Sequence, residues 1–248
     1  MSNPPSADTR TDVSVSSAPS LSPADVKADF LRPPRSGAEW IADALRLVGV
    51  VGVMVAAIAF RPTDAGILAL ALPALVAPRM LGLRPWFDAT VGATVLVAAW
   101  SNVLGLYTSV PGWDLLVHLV TTAVLAVVTA AILTRVRVAP LTHGGPRRTP
   151  LVLLPLIALA ISALWEMIEW AGWRFVSDDI YVTYQDTIGD MVFGGLGGVL
   201  AGAVVAFIAV EREHHRDSRQ MSSYSSGLHS SRQSITGRSP SNRIGSHT

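Results

Sequence analysis

Long apolar stretches separated by short polar segments dominate the middle of the chain. A membrane-spanning helix needs about 20 mostly apolar residues, and six stretches meet or approach that length. They are residues 41–60, 64–78, 87–107, 113–133, 151–175 and 189–210. The second is short and contains Pro73, so a kinked, tilted or re-entrant segment is an alternative there. The pattern predicts an all-α fold, a polytopic membrane bundle of about six transmembrane helices.

The two ends of the chain have a different composition from its middle. The first residues mix Ser, Pro and charges without the apolar core of a signal peptide. Beyond the last apolar stretch, Ser clusters alternate with Arg. Neither composition can bury a hydrophobic core. We therefore predict disordered tails at 1–36 and 213–248 and a transmembrane bundle at 37–212.

The distribution of Lys and Arg predicts an orientation for this bundle. With six spans, both tails and the loops after the second and fourth spans lie on one side, and these segments hold most of the basic residues. Only Arg61 and Arg174 fall in the loops of the other side. Because short basic loops stay in the cytoplasm, both termini are predicted to be cytoplasmic.

Composition narrows the class of protein further. Hydrophobic residues make up 50% of the 248 residues, charged residues 15%, and the mean hydropathy is +0.42. These values are typical of a membrane protein. The net charge of +1 lacks the basic excess that binds a nucleic-acid backbone, so we expect no nucleic-acid partner. Cysteine is absent from the sequence, which excludes disulfides and thiolate ligands, and a metal would rest on carboxylates and histidine.

Six ionisable residues interrupt the last three apolar stretches, and each stretch contributes a pair. They are Asp114 and His118 in WDLLVHLV, Glu166 and Glu169 in ALWEMIEWAGWR, and Asp186 and Asp190 in YQDTIGDMVF. Spacings of three or four residues place the members of a pair on one face of a helix. The predicted topology puts all three pairs near the outer surface of the membrane. Since a charge at mid-bilayer costs about 2.5–3.5 kcal/mol, the pairs should face one another, forming an outward-facing polar pocket.

Several carboxylates in one pocket need protons or a cation to relieve their repulsion. Asp and Glu with a single His suit a hard or intermediate divalent ion such as Mg, Mn or Fe, so a divalent metal is a candidate cofactor of open identity. The candidate metal ligands are Asp114, His118, Glu166, Glu169, Asp186 and Asp190, and the candidate acid–base groups are Glu166, Glu169 and His118. Blander interpretations are a hydrogen-bonded packing role for His118 and a helix-capping role for Asp186.

Glycine is concentrated in the last apolar stretch. Gly194, Gly198 and Gly202 repeat at four-residue intervals, a spacing that lets helix backbones approach closely. Helix packing is favoured over ligand binding, because a membrane helix lacks the loop that cradles a phosphate. The same spacing would also allow two copies of the chain to pair as a homo-oligomer.

The order of these motifs resembles a known family. D-x-x-x-H at Asp114, W-E-M-I-E-W at Trp165 and D-x-x-x-D-M at Asp186 are similar to the YjdF-like family of bacterial multi-pass inner-membrane proteins. The resemblance covers about residues 113–202 and implies a location in the cell inner membrane, with membrane lipids as neighbours. That family's activity is uncharacterised, so the resemblance implies no substrate. A weaker motif similarity extends to VanZ-like proteins, from which the chain departs at Glu169 and at Gly194 or Gly195.

Three functions are compatible with these patterns. The first is a metal-dependent membrane enzyme that acts on a lipid or lipid-linked substrate. The second is a proton-coupled transporter that uses Glu166 and Glu169, although the cytoplasmic halves of the last three spans contain almost no polar residues. The third is a non-catalytic scaffold in which the acids form a structural polar network. Whether the protein is an enzyme stays open at this point.

Overall fold

The protein is all-helical in the part that the computed structural model describes, residues 23–142, 146–178, 180 and 182–212. The helices of these residues are α1 (Pro23–Leu31), α2 (Gly37–Ala59), α3 (Pro62–Met80), α4 (Pro85–Val103), α5 (Leu106–Ser109), α6 (Trp113–Arg135), α7 (Arg148–Phe175) and α8 (Tyr184–Phe207). Six of them are long, and α1 and α5 are short. The prediction of an all-α polytopic helix bundle is confirmed.

Five of the long helices, α2, α3, α6, α7 and α8, are long and apolar enough to cross a membrane. Helix α4 has a spanning length of 19 residues but is less apolar, with Asp88 near its beginning and Asn102 near its end. The short stretch predicted at 64–78 forms α3, a helix that runs from Pro62 through Pro73 to Met80. Helix α3 is therefore long enough to cross a membrane, whereas the sequence left a re-entrant segment as an alternative here.

Helix α8 begins at Tyr184, earlier than the predicted start at 189. Thr183 causes the early start, since its hydroxyl accepts a hydrogen bond from the Asp186 backbone N–H at 3.3 Å and so caps the first turn. Asp186 is thus a residue of the first turn rather than the cap itself. The early start puts Asp186 and Asp190 on the same helix, one turn apart.

The bundle consists of two groups of three helices. Helices α2, α3 and α4 pack on one another, α6, α7 and α8 form the other group, and α4 and α3 contact α6. The core between them is apolar, with Leu68, Val91 and Leu154 almost fully buried. Large apolar side chains such as Ile58 on α2 and Val152 on α7 face outward, as expected for helices surrounded by lipid.

The disordered tail predicted at 1–36 is wrong for residues 23–36, because part of that segment forms α1 and the rest is anchored to the bundle. Arg79, near the end of α3, donates from Nε to Phe30 O at 3.0 Å and from Nη2 to Arg32 O. Its Nη1 also lies 2.8 Å from Asp43 Oδ1. The sequence-based prediction missed this anchor because it depends on a side chain from a distant helix. Residues 1–22 and the predicted tail 213–248 lie outside the described residues.

Arg46 belongs to the same network of charges. It binds Asp43 on its own helix at 2.7 Å and Asp88 of α4 at 2.5 Å. Two arginines, Arg46 and Arg79, thus face two aspartates, Asp43 and Asp88, so the charges of this network are paired. This ion-paired network joins α2, α3 and α4 at one end of the bundle.

Candidate functional site

Three helices bring polar side chains together at the end of the bundle where α6 begins, α7 ends and α8 begins. Asp114 and His118 lie on α6, Glu166 on α7 and Asp190 on α8. Each is close to this end of its helix, because α6 and α8 run in one direction and α7 runs in the other. The convergence expected from the sequence is present for these four residues.

The centre of the cluster is the imidazole of His118. Its Nε2 lies 3.6 Å from Asp114 Oδ1 and 3.7 Å from Asp190 Oδ2. One ligand atom from each of these residues lies within 4.8 Å of the others. His118 and Asp190 are buried, with 8% and 1% of their surface exposed. We refer to Asp114, His118 and Asp190 as the triad.

The spacing of the triad suits a shared cation. Ligand oxygens and nitrogens lie about 2.0–2.2 Å from Zn²⁺ or Mg²⁺, so two ligands of one ion are separated by roughly 3.0–3.5 Å. The two distances from His118 Nε2 are only slightly longer. Both distances also exceed ordinary hydrogen-bond lengths, so the nitrogen and oxygen atoms of the triad stay available to bind a cation.

Two buried carboxylate oxygens strengthen this interpretation. Among the residues that the structure describes, Glu166 Oε1 and Asp190 Oδ1 are buried atoms without a hydrogen-bond partner. Glu166 is 7% exposed, so water cannot freely supply the missing bond. An unsatisfied buried carboxylate oxygen is costly, and a cation or a proton would remove that cost.

Glu169 and Asp186, the other two candidate ligands, lie outside the triad. Glu169 faces the Trp165 side chain one turn earlier on α7 and is within electrostatic range of Glu166, Asp114 and Asp186. Asp186 interacts electrostatically with Asp114 and Glu166 across the helices. Both residues therefore add carboxyl groups around the cluster without joining its centre.

Tyr107 is a neighbour of the cluster that the sequence-based reasoning missed. It lies on α5, between α4 and α6, and its hydroxyl donates to Ala98 O at 2.8 Å. Burial raises the pKa of Tyr107, and the carboxylates of Asp114, Glu169 and Asp190 raise it further. No motif marked this tyrosine, because its approach depends on the turn between α4 and α6.

The aromatic residues near this end have two kinds of position. Trp170 and Trp173 are half exposed, as an aromatic belt at a membrane interface would be. Trp113 instead donates from Nε1 to Ser101 Oγ at 2.8 Å, which joins α6 to α4. Asn102 reaches Asp64 on α3 at 3.5 Å rather than the triad.

The glycines of α8 face α7 at very short distances. A Cβ on Gly198 would lie 2.6 Å from Pro155 Cα, and one on Gly202 would lie 2.8 Å from Pro150 O. Close backbone packing, favoured from the sequence, is thus the arrangement inside the chain. Pairing of two copies through this helix stays a prediction.

Comparison with known proteins agrees with this architecture. A family model described as "Predicted membrane protein (DUF2238)" matches residues 41–212. The chain belongs to the DUF2238 family. The match spans α2 to α8 and so includes every residue of the triad. Neither curated proteins nor solved structures provide a match to this DUF2238 member, and nothing supports the weaker similarity to VanZ-like proteins.

Proposed function

We propose that this DUF2238 protein is a metal-dependent membrane enzyme acting on a lipid or lipid-linked substrate. The observation that carries the proposal is the triad, built from two helices and completed by the unsatisfied oxygens of Glu166 and Asp190. The motif order also supports placing the protein in the YjdF-like group and hence in the inner membrane. The distribution of Lys and Arg supports an outward-facing site.

The side chains have distinct roles in this proposal. Asp114, His118 and Asp190 hold the divalent cation, which would polarise a substrate oxygen and favour ionisation of bound water. Glu166, whose buried Oε1 has no hydrogen-bond partner among the described residues, accepts or returns a proton. Glu169 lies farther out and keeps the region acidic. A general base beside a cation site is the arrangement that hydrolytic chemistry requires.

A lipid is the favoured substrate class because the site lies on spanning helices. The triad occurs on α6 and α8, two helices long and apolar enough to cross a membrane. The half-exposed Trp170 and Trp173 on α7 mark the level at which lipid headgroups meet apolar chains. A reactive group near that level can reach a headgroup while its helices remain in lipid.

Metal uptake tests the proposal most directly. Purified full-length protein in lipid nanodiscs is titrated with Mn²⁺ and followed by electron paramagnetic resonance. Asp190→Asn should abolish the bound signal, whereas Asp186→Asn, one turn earlier on the same helix, should retain it. Lipid analysis of cells that express each variant then tests for a reaction. Absence of bound Mn²⁺, Fe²⁺ or Mg²⁺ in wild type would refute a metal-dependent function.

Orientation needs its own experiment, because the site must face outward. A fluorescent reporter that is active only in the cytoplasm is fused after Arg148 or after Asp178. Fluorescence is expected from the Arg148 fusion alone. The reverse result would place the triad at the cytoplasmic surface.

The non-catalytic scaffold remains a second candidate, and one observation favours it. A protonated His118 would balance one of the two carboxylates at 3.6 and 3.7 Å, those of Asp114 and Asp190, and one further proton would neutralise the other, without a metal. The scaffold predicts lower thermal stability in Asp190→Asn with no bound metal and no change in lipid composition.

Transport is less favoured by the packing below the site. Between the triad and the opposite end of the bundle, Gly198 and Gly202 place α8 directly against the α7 backbone. This contact leaves little room for a continuous water path beside these helices. Ion or proton flux into liposomes that disappears in Glu169→Gln would reverse this preference.

A further inference from the structure

One helical turn below the cluster, a second set of polar contacts joins the same three helices. His118 is followed by Thr122 on α6, and Asp190 by Gly194 on α8, each after four residues. On α7, which runs the other way, Ser162 precedes Glu166 by four residues. Each step is about 6 Å along a helix. We call Thr122, Ser162 and Gly194 the floor of the cluster.

The two floor hydroxyls, those of Thr122 and Ser162, donate to backbone carbonyls of α6 and α8. Thr122 Oγ1 lies 2.6 Å from His118 O and 3.1 Å from Gly194 O, so one hydroxyl bridges carbonyls of α6 and α8. Ser162 Oγ donates to Asp190 O at 3.1 Å and ties α7 to α8. Both side chains are buried.

Gly194 sets how closely the helices approach at this level. A Cβ at Gly194 would lie 2.7 Å from both Cβ and Oγ of Ser162, and 3.4 Å from Thr122 Cγ2. Those distances leave no space for a methyl group unless Ser162 moves. The neighbouring Gly195 has nothing within 4 Å of the same position. Of these two adjacent glycines, only Gly194 contacts the floor.

We propose that Thr122 and Ser162 are positioning residues that hold Asp190 in register with His118, with Gly194 providing the necessary close approach. The proposal rests on the proposed cation site. The floor hydroxyls do not reach the ligand atoms. They fix the height and rotation of α8 relative to α6 and α7, on which the 3.7 Å separation of His118 Nε2 and Asp190 Oδ2 depends.

Variants of two adjacent threonines provide a matched test. Thr122→Val keeps the side-chain shape and removes the bridging hydroxyl, whereas Thr122→Ser keeps the hydroxyl. Thr121 Oγ1 is buried and has no hydrogen-bond partner among the described residues, so Thr121→Val is the control. Full-length protein in nanodiscs is titrated with Co²⁺, whose absorption spectrum reports ligand geometry. Thr122→Val should weaken Co²⁺ binding about tenfold, in the range seen when groups that orient metal ligands are lost, while Thr122→Ser and Thr121→Val should match wild type.

A size change at the floor tests the role of Gly194. Gly194→Ala should alter the Co²⁺ spectrum, because the new methyl group meets the Ser162 side chain. Gly195→Ala should leave the spectrum unchanged. A positioning role requires the altered spectrum at a temperature where circular dichroism shows Gly194→Ala to be folded, whereas a general loss of stability alters the spectrum only as the variant unfolds.

A metal-free measurement separates failure of this proposal from failure of the cation site. The chain contains no native cysteine, so cysteines introduced at Leu115 and Gly189, whose Cβ position lies 3.2 Å from Leu115 Cδ2, are the only thiols. Their cross-linking by a short bis-methanethiosulfonate reagent, which forms a disulfide with each cysteine and releases methanesulfinate, should slow at least threefold in Thr122→Val and stay unchanged in Thr121→Val. Unchanged cross-linking in Thr122→Val overturns the positioning role, as does unchanged Co²⁺ affinity. Slower cross-linking without Co²⁺ binding in wild type supports the register and refutes the cation site.

Discussion

Among glycine-to-alanine substitutions on α8, Gly197→Ala creates the shortest contact with a neighbouring helix. A Cβ at this position would lie 2.1 Å from the backbone oxygen of Leu119 on α6 and 3.0 Å from its carbonyl carbon. Ordinary contacts to a Cβ begin near 3.4 Å. The two backbones must therefore separate by about 1.3 Å along this direction, because a carbonyl in a helix cannot rotate aside as a side chain can.

The cost follows from overpacking and from lost contacts. Forcing a methyl group into a packed interior costs about 1–3 kcal/mol. Separation of α6 from α8 also stretches the Thr122 bridge to Gly194, and interhelical hydrogen bonds in membrane proteins are worth about 0.6 kcal/mol on average. We expect Gly197→Ala to lower the free energy of unfolding by about 3 kcal/mol.

Gly195→Ala is the matched control, since nothing lies within 4 Å of its Cβ position. It should be neutral or stabilise the helix by up to about 1 kcal/mol, through the higher helix propensity of alanine. Both variants are unfolded by titration with sodium dodecyl sulfate in mixed micelles, with circular dichroism and tryptophan fluorescence as readouts. Equal stability of Gly197→Ala and Gly195→Ala would refute the close approach of α6 and α8.

Two other predictions concern different parts of the molecule. Arg79→Met removes the contacts to Asp43, Phe30 O and Arg32 O and should cost about 3 kcal/mol, the low end for breaking a buried ion pair, because Asp43 is partly exposed. It should also speed tryptic cleavage after Lys27, and unchanged cleavage would contradict the anchoring of α1. Tyr107→Phe should abolish a loss of stability that the wild type shows at alkaline pH. The raised pKa of Tyr107 keeps this side chain protonated in the folded state, whereas the same tyrosine ionises near pH 10 in the unfolded state. Wild-type stability should accordingly fall as pH rises above about 10 toward the raised pKa, and thermal melts of wild type, Tyr107→Phe and the exposed control Tyr184→Phe would show it. A wild-type curve that follows Tyr107→Phe throughout would contradict the prediction.

Residue spacing and the lengths of the apolar stretches predicted which polar residues converge. The four-residue spacing of Asp114 and His118 fixes their common helix face, whatever surrounds it. Asp190 could be assigned to the same level because apolar stretches of spanning length must cross a membrane in alternating directions. Separation of the triad from Glu169 and Asp186 could not be predicted, since it depends on helix rotation by a few tens of degrees.

The sequence by itself determined that the protein is a bundle of membrane helices, because stretches of that length and hydrophobicity satisfy their backbone groups in lipid only as helices. It also indicated that the glycines of α8 serve close packing. Only the tertiary structure decided how α1 is anchored, that Arg46 joins a buried ion-paired network, and that Tyr107 approaches the acids. These features depend on contacts between residues far apart in the chain, which local hydrophobicity and spacing do not encode. The register of α8 against α6, fixed at Gly194 and Gly197, likewise depends on contacts between distant residues. It determines which carboxylate of α8 lies beside His118.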